Sequence, residues 1–480
     1  MRYDAAIIGA GAEGLAAATV LGQAGLRVVV IERGERAGGR LLAREFHPGF
    51  RCSPFVDGAA AIPASLFWTL DLARRGAFSA PQRASFAVWP DRRHALSFDE
   101  ADGATAKVLA EAATRRREIA AQVLEAEPPS RPLFGRAAGR SWPGEDWSSR
   151  ALEEVLAPLP LDAREHLAAL ALAGTAADPF VDGSALHLLG AGGLHAGGTE
   201  RLAAALIEAA KAAGAEFSFG LEASDLQRRD GRITGIGLAD GSEIVARGVI
   251  STLDLKRTFL TFFAWNSLPR AVVQRVNAFR VAGSTARVLF ALDRLPPNAG
   301  DETFHAAPSL TRRSEASQAW RSGILAEHLP VTLNVLTARD PELAPPSCAV
   351  VAATLSATPF RLFDGAWTRE KREHLRRRAL DAAELVWPGF GDTVVGAEVV
   401  APPDIEDALG ATDGDLNGGE IAADQMLGGE PWSAEALPRT PIAGLYLAGS
   451  YLTAGAFATC AAGAAAAKTL LADHARGRLR

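Results

Sequence analysis

The chain opens on a short apolar run, Ala5-Ala6-Ile7-Ile8, of the kind carried by a parallel strand buried on both faces. Residues 15–24 follow with helical spacing and stop near Gly25, and residues 26–31 form a second apolar, β-branched run closed by Glu32. Further on, residues 200–213 predict a strong helix. Strands are predicted at 216–219 and 222–227, with a hairpin across Arg229-Asp230-Gly231-Arg232 into 233–238. Asp240-Gly241 turns the chain into a strand at 243–250. Residues 285–292, 331–336 and 350–355 read as strands, and 369–385 as a charged amphipathic helix. Late in the chain, 445–448 is a short strand ended by Gly449-Ser450, and a helix is predicted from about Thr459 to Ala472. Residues 60–190 read as helix-rich, with Phe67, Trp68, Trp89, Trp142 and Trp147 among them, and Arg115-Arg116-Arg117 as a solvated helix face.

Between the first two strands lies Gly9-Ala10-Gly11-Ala12-Glu13-Gly14. Gly9 allows the tight turn, Gly11 lets backbone approach a pyrophosphate, and Gly14 lets the helix pack closely on the strand. The helix N-terminus offers free N–H groups to phosphates. Glu32 stands 18 residues beyond Gly14, where an acid accepts hydrogen bonds from a ribose 2′-OH. A glycine-rich turn without a ligand is the bland alternative. The strand–turn–helix–strand–acid order selects dinucleotide binding. The motif alone does not separate NAD from FAD. Arg33 and then Gly38-Gly39-Arg40 resemble the flavoprotein pattern in which a second glycine pair runs over the FAD pyrophosphate.

Composition narrows the class. The 480 residues are 48% hydrophobic and 22% charged, with a net charge of −6, as in a soluble globular protein of two to four units. Mild acidity argues against a nucleic-acid partner. Cys52, Cys348 and Cys460 make neither a CxxC pair nor a disulfide framework. The nine histidines do not cluster with cysteines, so no metal is expected. No signal-peptide pattern precedes the first strand, and no uninterrupted apolar stretch of about 18–20 residues occurs. The expectation is a cytoplasmic protein, with peripheral contact at the inner face of the membrane left open.

These blocks together resemble the phytoene desaturase-like FAD-dependent oxidoreductases of the amine oxidase-type flavoprotein superfamily. The nearest likeness is to the branch of pyridine nucleotide-disulfide oxidoreductase domain-containing protein 2. The residues that carry it are Tyr3-Asp4 with Gly9, Gly11 and Gly14, Glu32-Arg33, Gly38-Gly39, residues 45–51, and Gly197-Gly198 with the helix after them. Asp240-Gly241 with Ser251, residues 284–296 and 415–425, and 440–450 with Gly463 complete it. The resemblance implies an α/β fold: a Rossmann-type (GR2) FAD-binding domain interleaved with an α+β substrate domain of mixed sheet and helical cap. Residues 1–60, 190–265 and 411–480 are assigned to the first, and 61–189 and 266–410 to the second. The implied cofactor is FAD, expected to be held by Gly9, Gly11, Glu13, Gly14, Glu32, Arg33, Gly39, Arg40, Gly449 and Ser450. The glycines at 190–198 follow no β-branched strand, so they are not read as a second dinucleotide site. Asn417 stands where this branch commonly has histidine, Ala454-Gly455-Ala456 replaces a proline- and glycine-rich loop, and residues 100–180 are short for the branch.

The expected activity is that of an FAD-dependent oxidoreductase, a dehydrogenase or desaturase. It moves a hydride to flavin N5 from an apolar or amphipathic small molecule, with carotenoid- and lipid-like substrates included. The electron acceptor (oxygen or a quinone) and the oligomeric state are left open. Alternatives are a flavin-dependent isomerase, an amine oxidase and a non-catalytic FAD-containing interaction protein. The five lysines (Lys107, Lys211, Lys256, Lys371, Lys468) fall in no motif suggesting an amine-oxidase role. Acid–base candidates are His47, His195, Asp404 and Asp424, each with a structural role as the bland alternative. Tyr451 and Phe457 are candidates to border the flavin, and Cys460 reads as a buried helix residue or a covalent flavin link. No catalytic residue is assigned.

Overall fold

β1 (Arg2–Ile8), α1 (Ala12–Gln23) and β2 (Val28–Glu32) form the expected βαβ unit, with Ala5 opposite Val28 in parallel register. The computed structural model describes residues 2–58, 62–77, 80–81, 84–98, 103–124, 146–191, 195–196, 198–264, 266–281, 283–422, 425, 438–449 and 459–479. α2 (Thr199–Ala212), β3 (Glu216–Phe219), β4 (Ala223–Arg229), β5 (Arg232–Leu238) and β6 (Glu243–Ser251) come next in this layer. β7 (Leu445–Leu447) and α3 (Ala461–Ala475) complete it from the far end of the chain. The sheet runs β4-β5-β6-β1-β2-β3, and β7 lies parallel to the end of β6.

Why the first strands are continuously apolar is plain from the packing. Ala5, Ile7, Val28 and Val30 face one core with Leu15, Leu206 and the alanines of α3. Ala6, Ile8, Val29 and Ile31 face another with Phe259, Phe262 and Val276. A parallel sheet covered on both faces has no polar side to alternate with.

A second seven-stranded sheet gathers Val394–Val400, Thr285–Leu292, Ala349–Ser356, Val331–Val335, Thr303–Ala306, Ala84–Val88 and Arg93–Ser97, in that spatial order. Only the pairing of Thr303–Ala306 with Ala84–Val88 is parallel. The strands Ala84–Val88 and Arg93–Ser97 lie in a region read from sequence as helix-rich. They are short, and the second is a half-exposed edge carrying Arg93 and His94, so its apolar alternation is faint. The helix Arg369–Val386 packs Leu375, Ala379 and Ala383 on one face, over Phe290 and Val351. The hairpin Arg44–His47 and Phe50–Cys52 covers part of the other, against Leu289 and Ala352.

One correction concerns the Arg115-Arg116-Arg117 run, which is not a solvated face. Arg115 stacks 4.2 Å from the centre of the Trp147 ring and pairs with Asp146 and Glu111. Arg116 donates to the carbonyls of Leu189 (3.1 Å) and Ala191 (3.2 Å). Only Arg117 is exposed. Charge alone did not reveal that cation–π and carbonyl partners were waiting on a neighbouring segment.

A buried ion pair ties the loop after the hairpin to the second sheet. Asp57, just past the hairpin, accepts from Arg287 and from Asn334 Nδ2 (2.9 Å). The Arg287 and Asp57 side chains are 4% and 5% exposed. Arg287 also donates to Thr354 Oγ1 at 2.9 Å, and Thr303 Oγ1 to Asn334 Oδ1 at 2.6 Å. Among the described residues no helix is long and apolar enough to cross a membrane.

Removing one partner of such a pair strands a charge. Arg287→Met is expected to cost about 3–5 kcal/mol in denaturant unfolding, and the double substitution with Asp57→Asn to recover part of it. A double-variant loss equal to the sum of the two single losses would show that the pair is not coupled.

Candidate functional site

The β1–α1 turn, the end of β2 and the loops beyond line a cavity of about 550 Å³. Gly9 has φ +97°, and a Cβ there would lie 2.2 Å from Thr252 Oγ1. A Cβ on Gly14 would lie 2.0 Å from the Gly9 carbonyl oxygen. Gly11 differs: among the described residues nothing lies within 4 Å of where its Cβ would be, and its backbone borders the cavity. Gly39, at φ +54°, brings a second glycine backbone against it, 3.1 Å from the Gly11 Cα to the built Cβ.

The donor set suits a dinucleotide. Gly11 precedes α1 as its N-cap and offers no side-chain cap, so this helix end can present its first N–H groups to an anion. Glu32 Oε2 accepts from Ala10 N at 2.8 Å and Oε1 from Gly34 N at 2.9 Å. The acid thus braces the glycine turn and keeps lone pairs for ribose hydroxyls. Arg40 lines the cavity, donates to the Leu416 carbonyl at 2.8 Å, and lies between two carboxylates, Glu13 and Asp415. Burial lowers its pKa, and those two carboxylates oppose the shift. Arg33, at the exposed rim, donates to the carbonyls of Asp407 (3.0 Å) and Ala408 (2.6 Å). Gly449 closes the cavity, and Ser450 lies outside the described residues.

Glu13 has a role the sequence did not disclose. Its Oε1 accepts from Cys460 N at 2.8 Å and its Oε2 from Gly463 N at 2.7 Å, at the start of α3. Burial pushes its pKa up from 4.5 to about 7, against these N–H groups and Arg40. Cys460 is buried, its Sγ lies 3.8 Å from the Ala12 carbonyl, and its pKa is raised well above the ordinary thiol value by burial.

A second cavity of about 820 Å³ lies beyond, with Phe279, Val281, Trp320 and Ile421 on its walls. Asp178, His187 and Lys256 also line it. Burial takes the His187 pKa down from 6.5 to about 3, so the ring is neutral. Asp415 lines both cavities.

Other candidates lie elsewhere. His47 sits on the hairpin, its ring against Gly396, where a Cβ would come within 2.4 Å of Nδ1. Asp404 pairs with Arg372 and accepts from Ala401 N at 2.8 Å, capping the helix Pro402–Leu409. His195 is in a two-residue strand paired with Ala80–Pro81, and its side chain is not described. Asp424, Tyr451 and Phe457 lie outside the described residues. Asp415 fell inside a matched block, but only its place between two cavities distinguishes it, and no local pattern encodes that.

The family model described as flavin containing amine oxidoreductase matches residues 14–467. Pyridine nucleotide-disulfide oxidoreductase domain-containing protein 2 of Rattus norvegicus is 28% identical over 546 residues, covering 98% of this chain and 94% of that protein. The lycopene-forming phytoene desaturase of a Paracoccus species is 22% identical over 281 residues, 58% of this chain and 55% of that one. Cyclohexylamine oxidase from Brevibacterium oxydans shares the fold with a TM-score of 0.61 and 15% identity, covering 100% of both chains.

Glu13 gives stability a defined pH dependence. Between about pH 4.5 and 7 the folded chain holds a proton that the unfolded chain has released, so stability falls as pH rises through that window. Glu13→Gln is expected to make this fall shallower, by up to roughly 3 kcal/mol. Urea unfolding of both proteins across the window measures it, and identical slopes would refute it.

Proposed function

We propose that this chain, which belongs to the flavin containing amine oxidoreductase family, is an FAD-dependent dehydrogenase or desaturase acting on an apolar or amphipathic small molecule. FAD is its cofactor and oxidoreduction its chemistry. The observation that carries the finer reading is the pair of cavities: a crevice with dinucleotide donors, meeting a mostly separate chamber of small-molecule size.

In the crevice, Glu32 would hold the adenosine ribose, and the uncapped start of α1 with Arg40 would hold the diphosphate. The bound flavin supplies a two-electron acceptor at N5. The protein's own part is positioning. Phe279, Val281, Trp320 and Ile421 offer an apolar wall, while Lys256, Arg280 and Asp178 give the same chamber charged points for orienting a polar group. Oxygen or a quinone is proposed as the terminal acceptor.

A second reading, oxidation of an amine, is favoured by the carboxylates Asp178, Asp182, Asp415 and Glu420 lining the chamber. Turnover of a primary-amine panel with peroxide release would support it over the first.

The purified protein is expected to be yellow, with an oxidised flavin spectrum bleached by dithionite. Arg40→Met is expected to weaken FAD retention roughly tenfold or more, as loss of a charge-assisted contact implies. Folded protein that takes up no FAD on reconstitution would overturn the reading.

A further inference from the structure

We propose that Asp415 is the proton-exchanging group of this enzyme, taking up the proton the substrate loses as its hydride passes to the flavin. The proposal rests on the flavin reading of the crevice and assigns a residue where that reading had none.

Position is the first argument. Among the described residues, Asp415 alone lines both cavities, the cofactor crevice and the chamber beyond it. It is 7% exposed. A group that passes protons between substrate and protein must stand where the two spaces meet.

The second argument is its mounting. The turn before it has left-handed residues at Asp413 (φ 53°) and Gly414 (φ 67°). A Cβ on Gly414 would lie 2.1 Å from the Pro402 carbonyl oxygen, so the turn is pressed against its neighbour. Asp254, which caps the helix Leu255–Thr261, accepts from Thr412 N at 3.0 Å and from Thr412 Oγ1 at 2.9 Å. Asn417 N donates to Asp415 Oδ1 at 2.8 Å. These contacts hold the carboxyl on a braced turn.

The third is its electrostatic setting. Among the described residues no cation pairs with Asp415, and Arg40 directs Nη1 to the Leu416 carbonyl instead. The charged groups around it are Arg40 with Glu13 behind it, Asp254 at the helix cap, and Lys256 and Glu420 on the chamber wall. Burial first, then Asp254, raises its pKa from 3.8 to about 7, while the N–H groups of Asn417, Gly419 and Gly418 hold it back. A carboxyl so placed changes state near neutrality.

The balance is simple. The substrate gives a hydride, carrying two electrons, to the flavin and one proton to the Asp415 carboxylate. A double bond forms between the two substrate atoms that lose hydrogen, and the carboxylate becomes a carboxylic acid. The proton leaves to solvent when the acceptor reoxidises the flavin.

The test needs no substrate. Holoprotein labelled with carboxyl-¹³C aspartate is reduced with dithionite at neutral pH, and the infrared difference spectrum is recorded. Added negative charge on the reduced flavin raises the pKa of a neighbouring carboxyl. A protonated-carboxyl band that moves with the aspartate label is therefore expected, and the label separates it from Glu13. Asp415→Asn is expected to keep FAD, lose the band, and lose the inflection in the pH dependence of the flavin midpoint potential. Bound FAD without a labelled band overturns the assignment, as does an Asp415→Asn potential curve that superimposes on the wild type. If that variant does not fold, the labelled wild-type spectrum decides, and Asp415→Glu should give a band the label does not move. Absence of FAD from folded protein would instead sink the flavin reading itself.

Discussion

The Glu13 carboxylate joins the two ends of the chain, and the crevice depends on that junction. It belongs to the first turn of α1, yet it accepts the N–H groups of Cys460 and Gly463 at the start of α3. An acid at a helix N-terminus is favoured by the dipole and by the unpaired N–H groups there. Here the favour runs between helices some 450 residues apart in sequence. Gly463 completes the contact, since a Cβ there would lie 1.9 Å from the Glu13 carbonyl oxygen. The alanines of α3 let it lie against α1 in the same core. With the two helices fixed, Gly449 at the end of the last strand is brought to the cavity that begins at Gly9.

A second buried contact, an ion pair, braces the other sheet. Asp57 connects the loop after the hairpin to two strands of the second sheet, through Arg287 and Asn334. That loop is itself tied to the cofactor side, because Ser53 Oγ donates to the Arg40 carbonyl at 2.7 Å. A short chain of contacts therefore runs from the crevice wall through Ser53 and Asp57 to the sheet. Buried pairs of this kind contribute little net stability against an apolar replacement, but they tolerate only one arrangement. The crevice and the chamber share Asp415 in their linings.

Much of the cofactor layer was legible along the chain. The run Ala5–Ile8, the glycines after it and Glu32 are local features whose spacing states their geometry. The helix at 200–213 and the strands from 216 to 250 were readable for the same reason, and the structure has them within one or two residues. The strands at 84–88 and 93–97 were not, because a short edge strand takes its stability from its partner rather than from its own pattern. Arg115 and Arg116 misled as a charge run, since the carbonyls and the indole that receive them come from other segments.

The sequence by itself determined that the chain carries a dinucleotide turn, an α/β layer around it, and membership in a flavin family. The first two are set by neighbours in the chain, through turn sterics, helix period and strand period, and the third was read from resemblance. Tertiary structure decided which polar groups act together. Glu13 with Gly463, Asp57 with Arg287, and Asp415 with two cavities are pairings between distant segments. No spacing rule reaches across such separations. The energy of a buried charge depends on what folding places around it, and only the assembled core fixes that.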